Sequence, residues 1–265
     1  MRLTVFLKGS IVSLLAAFCC LNRLDADPLA ESQARFGVFS GTVEILSQGA
    51  PEWVAVHEGL PIEPGDRIHT EEDSRAELIM SDNVLWLLRP DSEVVAEHTD
   101  LNSGRFDVAQ GVLLGKVDPA RAGAAQRWEI NTPGAICTVR GAEFAVDVQA
   151  DKNSRVGIFD GEVEVQPADT AAGESTPLRI AAPQEGVVRR GKPLQIVRSM
   201  DKAMQPYERE FADVRARLAR LRRTWTPYTT TVRTEFRKKF IAPPPPPPKY
   251  HPVRPRRASA EDGGN

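Results

Sequence analysis

The sequence predicts an all-β domain, a β-sandwich or β-solenoid-like body with two similar halves, followed by one amphipathic α-helix and a disordered Pro-rich tail. Three observations predict it. From Phe36 to Arg198, short runs alternate apolar and polar residues with a period of two, as in Phe144, Val146, Val148 and again Val156, Ile158. That is the pattern of strands with one buried face. Glycine, proline, asparagine and aspartate cut these runs too often for helices of useful length. Beyond Met200 the period changes. Met204, Tyr207, Phe211, Val214, Leu218, Leu221 and Trp225 are spaced three and four apart, a stripe along one face of a helix.

Met1 to Ala26 reads as a signal peptide. Arg2 and Lys8 form a basic start and Gly9 to Leu21 an apolar stretch too short to span a bilayer comfortably. Cleavage is expected near Ala26. Cys19 and Cys20 raise the question of a lipoprotein, but no small residue precedes them as acylation requires, so a periplasmic or secreted chain without a transmembrane segment is the expectation. Removal of the signal leaves Cys137 alone, so no intramolecular disulfide can form.

The β body is read over residues 36–198. Phe36 to Leu46 is its first strand, Trp53 to His57 a short one, and Ala76, Leu78, Met80 another. Asp82-Asn83 fits a two-residue hairpin turn into Val84–Leu88. Glu93 to His98 runs extended, and Leu101 to Val117 supplies two strands around Gly111. Trp128 to Val165 follows, with a hairpin loop at Asp151-Lys152-Asn153-Ser154 and Gly134, Gly141 and Gly161 where the alternation breaks, positions that suit turns or bulges. Leu178–Ile180 and Glu185–Val197 close the body. F-S-G-T-V-E-I at Phe39–Ile45 repeats as F-D-G-E-V-E-V at Phe159–Val165, either two related units or convergence on one β motif.

Residues 200–225 form the basic amphipathic helix, with Pro206 in its first turn. So short a helix is marginal alone, so its stripe is expected to be buried, either across the β body or against a second helix as a coiled coil that brings self-association. Residues 226–265 are read as a basic, Pro-rich disordered tail: Thr226–Ile241, a polyproline run Pro243–Pro248, and Tyr250–Asn265. The overall charge hides an asymmetry. Asp27 to Val188 holds 28 acidic and 12 basic residues, whereas Arg198 to Arg257 holds 16 basic and 5 acidic. The arginines of the helix (Arg209, Arg215, Arg217, Arg220, Arg222, Arg223) are the candidate partner-binding residues, facing solvent, the chain's own acidic body, or an anionic partner.

Three segments carry a family resemblance. The segment L-P-I-E-P-G-D-R-I-H-T (Leu60–Thr70), then T-P-G-A-I-C-T-V-R-G-A-E-F-A-V-D-V, then V-G-I-F-D-G-E-V-E-V, is similar in content and order to the FecR domain. The resemblance covers about Gly37 to Val165 and implies a structural role for Gly65, Asp66, Ile68, Thr70, Arg140, Gly141, Glu143, Phe144 and Gly161. Physically, Gly65 suits a turn, Asp66 can accept from nearby backbone N–H groups, and Ile68 re-enters the core. Ala142 stands where the family commonly has Thr. In FecR-type regulators the domain lies in the periplasm and relays receptor occupancy to an anti-sigma segment. This chain shows no cytoplasmic N-terminal domain or retained transmembrane helix for such a relay, so the resemblance speaks for fold and compartment first.

No catalytic constellation is expected. His57, His69, His98 and His251 are isolated, and neither a metal-ligand spacing nor a nucleophile motif occurs. Glu71-Glu72-Asp73 lacks the interleaved ligands of a calcium loop. The expectation is a non-enzymatic exported binding module, without cofactor, metal or nucleic acid, that contacts an unknown protein partner at the cell envelope. The alternative is a binder of an envelope polymer or anionic membrane surface through the basic helix and tail.

Overall fold

The computed structural model describes residues 29–119, 126–168, 176–189 and 192–241. The expected signal peptide, Cys19 and Cys20, the proline run and the C-terminal residues lie outside the described residues. Fourteen strands follow in order: β1 (Arg35–Ser40), β2 (Val43–Leu46), β3 (Val54–Ala55), β4 (Asp66–Thr70), β5 (Arg75–Ser81), β6 (Val84–Leu88), β7 (Glu93–Thr99), β8 (Ser103–Val117), β9 (Arg127–Asn131), β10 (Ala135–Val148), β11 (Ser154–Pro167), β12 (Leu178–Ala181), β13 (Glu185–Val188) and β14 (Gln195–Val197). Two helices close the described chain, α1 (Gln205–Thr224) and α2 (Thr230–Phe240). All strands join one sheet, antiparallel except where β8 runs parallel to β9.

The hinge of this sheet is β8. Where two strands around Gly111 were expected, one fifteen-residue strand runs through, bent at Gly111, whose φ is 84°. Its first half lies between β7 and β9, and its second half between β6 and β10. The bend is strong. Trp128 lies beside Gly104 and Trp86 beside Gly115, positions about 36 Å apart on a straight strand at 3.3 Å per residue. Yet the two indole rings meet edge to face with centroids 5.6 Å apart. The sheet therefore folds back on itself at Gly111. Neither Gly104 nor Gly115 could carry a Cβ without striking these rings. Phe106 and Phe144 complete the aromatic centre around Trp86, at 6.3 and 5.8 Å.

The two copies of the F-x-G motif bend their strands alike. Gly41, between β1 and β2, has φ 76°, and Gly161, inside β11, has φ 77°. A Cβ at Gly161 would lie 2.5 Å from the Gly141 carbonyl oxygen, so only glycine fits.

The apolar stripe of α1 is buried on the outward face of the folded sheet. Met204, Phe211, Val214, Leu218 and Leu221 pack on Ile79, Leu85, Leu114 and Ala145, which β5, β6, β8 and β10 present away from the main core. Phe159 meets Phe211 at 4.9 Å. Burying each such side chain stabilises by about 1.5–3 kcal/mol, which holds a helix whose isolated stability is marginal. Of the two uses open to this stripe, the chain's own sheet takes it, so self-association through it is corrected: no free stripe remains.

The disordered tail expected from residue 226 is also corrected, for it begins with a second helix. Thr229 caps α2 by accepting from Val232 N–H, and Phe236 and Phe240 stack with Tyr228 and His57. The segment joining α1 to α2 runs along the start of the described chain. Leu29 bridges Thr229, Ala30 N–H donates to the Tyr228 carbonyl at 2.9 Å, and Tyr228 N–H donates to Gln33 Oε1 at 2.6 Å. The Arg35 guanidinium lies between the Trp225 and Tyr228 rings at 4.1 and 4.3 Å. Residues 200–241 thus form a strap across the β body.

Candidate functional site

The strap meets the body through arginines, and the spacing of α1 sorts them. Residues seven apart lie nearly above one another on a helix. Glu210 and Arg217 make one such row and pair with Arg89 (3.1 Å) and Glu77 (2.9 Å). Arg215 and Arg222 make the other and pair with Glu143 and Asp118. The apolar stripe lies between the rows, so α1 is bracketed by charge on both flanks, as the seam of a coiled coil is.

Glu143 is the most enclosed of these carboxylates. Its side chain is 1% exposed and takes a two-pronged contact from Arg215, Nε at 2.7 Å and Nη2 at 2.5 Å. Lys116 Nζ, 14% exposed, donates at 2.7 Å from the adjacent strand. Burial pushes the Glu143 carboxyl up, but the hydrogen bonds from Arg215 and Lys116 outweigh it and hold it below the ordinary 4.5. Arg140 does not pair with Glu143. A register shift between Val139 and Gly141 interrupts the alternation there, and Arg140 reaches Glu164 of β11 at 3.1 Å instead.

A second enclosed carboxylate lies under α2. Asp66 Oδ2 accepts from Glu63 N–H at 2.8 Å, while Asp66 N–H donates to the Glu63 carbonyl at 3.1 Å. This ties the turn that Gly65 makes at φ 87°. Arg237 then grips both oxygens of Asp66, at 2.6 and 2.7 Å, and also donates to the Pro61 carbonyl and to Ser47 Oγ, both at 2.9 Å. Burial pushes the Asp66 carboxyl up, and Arg237 pulls it down without cancelling that effect. One turn earlier, Arg233 is buried, donating to Glu63 at 2.8 Å and to the carbonyls of Ala34 and Ile62.

The remaining motif residues are structural in their surroundings. Ile68 and Phe144 are fully buried, and Thr70 Oγ1 donates to the Arg89 carbonyl at 2.7 Å and accepts from Ser92 N–H at 3.0 Å. Gly141 lies against Pro119, where a Cβ would come within 2.5 Å of the proline ring. Of the six arginines singled out on α1, Arg215, Arg217 and Arg222 are held by the body. Arg209, Arg220 and Arg223 are exposed and make no ion pair among the described residues. Arg233 and Arg237 were missed by sequence reasoning, because Thr226–Ile241 was read as tail. Arg233, Phe236, Arg237 and Phe240 in fact share one helical face behind the Thr229 cap, and that spacing was the available signal.

Beside α1 a groove of about 460 Å³ opens between the helix and the outward faces of β1, β5 and β6. Val38, Leu85 and Leu87 form its floor, with Arg75, Asp213 and Arg220 at its rim. Val38 is 50% exposed there. No group of three or more His, Cys, Asp or Glu side chains among the described residues is arranged to hold a metal ion. No helix of the described residues is long and apolar enough to cross a membrane.

No curated protein matches the chain. Two crystal structures of a candidate anti-sigma factor from Parabacteroides distasonis align at 13% and 12% identity, each with a TM-score of 0.44. Each alignment covers 53% of this chain and 63% of that protein, a likeness too remote to carry an activity across. Residues 66–164 match the family model described as FecR protein. That segment begins at the Arg237-gripped Asp66, contains the Arg215-gripped Glu143, and ends in the second F-x-G copy. Over residues 66–164, from β4 to β11, the β body of this chain is therefore similar to the FecR family.

Proposed function

We propose that the chain is a non-enzymatic, exported FecR-domain binding module that acts through protein–protein contacts at the cell envelope, accessory to signalling or scaffolding. The observation that carries this reading is the condition of the motif's carboxylates. Asp66 and Glu143 are both shielded from solvent and both gripped by arginines of the strap. A general acid or base must reach a substrate proton, and these two hold the fold instead. Cys137 is likewise buried, its thiol pushed up to about 12 by burial, far from a reactive thiolate. These facts support a domain whose motif builds a frame and whose surface does the work. The groove beside α1, with an apolar floor and charges of both signs at its rim, is the surface suited to a protein partner.

The test is site-specific photocrosslinking in intact cells, with the crosslinker at Val38 in the groove and, as control, at exposed Glu52. A discrete, protease-sensitive adduct at Val38 alone, lost when Leu87 is replaced by Asp, is the expected result. Adducts at both positions, or adducts only with lipid or polysaccharide, would count against a protein partner at this groove.

A further inference from the structure

We infer that the solvent crest of α1 is an electrostatic contact site for an anionic phospholipid surface. The inference concerns the solvent ridge of the helix, which borders the groove at Ala216 and Arg220, and it does not depend on the protein-partner reading.

Arg209, Arg220 and Arg223 fall within about 60° of one another around the helix and span about 21 Å along it, at 3.6 residues per turn and 1.5 Å rise. Between them the crest carries Ala212 and Ala216, both exposed. With such small residues between, the three guanidinium groups stand as the highest points of the ridge. Five arginines of the strap (Arg215, Arg217, Arg222, Arg233, Arg237) are bound to carboxylates of the body, so the strap's surplus positive charge is concentrated on what remains. Asp213 lies beside Arg220 on the same side of the helix, and both border the groove, so the ridge carries three guanidinium groups against that one carboxylate.

Shape and charge select the occupant. A straight, convex row of cations fits a flat anionic sheet of headgroups, whereas a linear polyanion is better held in a cleft lined with cations. The apolar stripe of α1 is already buried on the β body, so insertion among acyl chains is not available and contact rests on charge alone. Beyond Ile241 the sequence continues with Lys249, Arg254, Arg256 and Arg257, the same sign of charge on the same end of the chain.

The experiment is co-sedimentation of the purified full chain with phosphatidylcholine vesicles containing 0 or about 30% phosphatidylglycerol, across a salt series. The variant is R209Q/R220Q/R223Q, whose sites make no ion pair within the fold, so an unchanged melting curve verifies that it is intact. Any binding through the apolar Gly9–Leu21 segment is common to both proteins and persists on neutral vesicles, so the comparison isolates the crest. Each basic residue at such a surface contributes about a fivefold gain in partition, so the triple variant is expected to bind anionic vesicles about a hundredfold more weakly at low salt. The difference between wild type and variant on anionic vesicles is expected to vanish as salt rises. Equal binding of wild type and variant overturns the inference, as does binding of wild type to neutral vesicles alone. It is also overturned if soluble polyphosphate is held through these arginines while anionic vesicles are not.

Discussion

Replacing Glu143 by Gln keeps the size of the side chain and removes its charge, which makes it the sharpest probe of how the strap is held. The carboxylate is 1% exposed and receives Arg215 and Lys116. Removing one member of a buried ion pair costs about 3–5 kcal/mol, chiefly because the other is left charged and dry. Here the two cations differ. The Arg215 side chain is 51% exposed and can turn to water, whereas Lys116 is 14% exposed and cannot easily do so. The expected loss is therefore at the low end, about 3 kcal/mol at pH 7. Urea unfolding at ~2 kcal/mol per M would show it as a fall in midpoint of about 1.5 M. The pH dependence has a definite sign. The Glu143 carboxyl is held below 4.5 in the folded chain, so its contribution is present above 4.5 and is lost as pH falls through the folded value. The gap between wild type and Glu143→Gln is accordingly expected to close on acidification below 4.5. Hydrogen exchange should locate the loosening in α1 before the β body. A midpoint within about 0.3 M of wild type, or a gap that persists unchanged in acid, would refute the claim that this carboxylate anchors the strap.

Three other outcomes follow from the same geometry. Leu218→Asp places a carboxylate in the apolar layer between α1 and the sheet, where Leu218 is 1% exposed; thermal melting should show a loss of more than about 4 kcal/mol, against 2–5 kcal/mol for Leu218→Ala. Arg237→Ala leaves Asp66 buried without its grip and is expected to cost about 2–3 kcal/mol, with faster exchange in α2 but not α1. Arg237→Lys should not rescue it, since one ammonium cannot span both oxygens. Cys137 should stay unmodified by a thiol reagent at pH 8 until the chain is unfolded; prompt labelling of the native protein would contradict its burial.

Most strands were legible because each needs only a local period of two, though β4 was read only as a turn re-entering the core at Ile68. The stripe of α1 was legible because its apolar residues keep strict three-and-four spacing. Gly111 and α2 were not. A glycine in an alternating run marks a break, but local sequence does not distinguish a strand that ends from one that bends and continues. The bend of β8 is decided by Trp86 and Trp128, which lie far apart in sequence and meet over it. The helix α2 is poor in apolar residues and rich in threonine, so it reads as a tail. Its order comes from Arg233 and Arg237 finding Glu63 and Asp66 about 170 residues earlier. The motif carboxylates were visible as residues, but their partners were not, since Arg140 lies closer to Glu143 in sequence than Arg215 does and yet pairs with Glu164.

The contact between Gln33 and Tyr228 joins residues 195 positions apart, and it bears on when the molecule can finish folding. A chain synthesised N-terminus first presents its acidic β body well before the strap exists. Until residues 204–241 arrive, Ile79, Leu85, Leu114 and Ala145 lack their cover, and Asp66 and Glu143 lack their arginines. Such an intermediate exposes apolar surface and buried charge together, the state most open to aggregation and proteolysis. The strap thus makes the final structure conditional on residues 204–241 having been made, and a product truncated before Tyr228 leaves the first described residues without their seal.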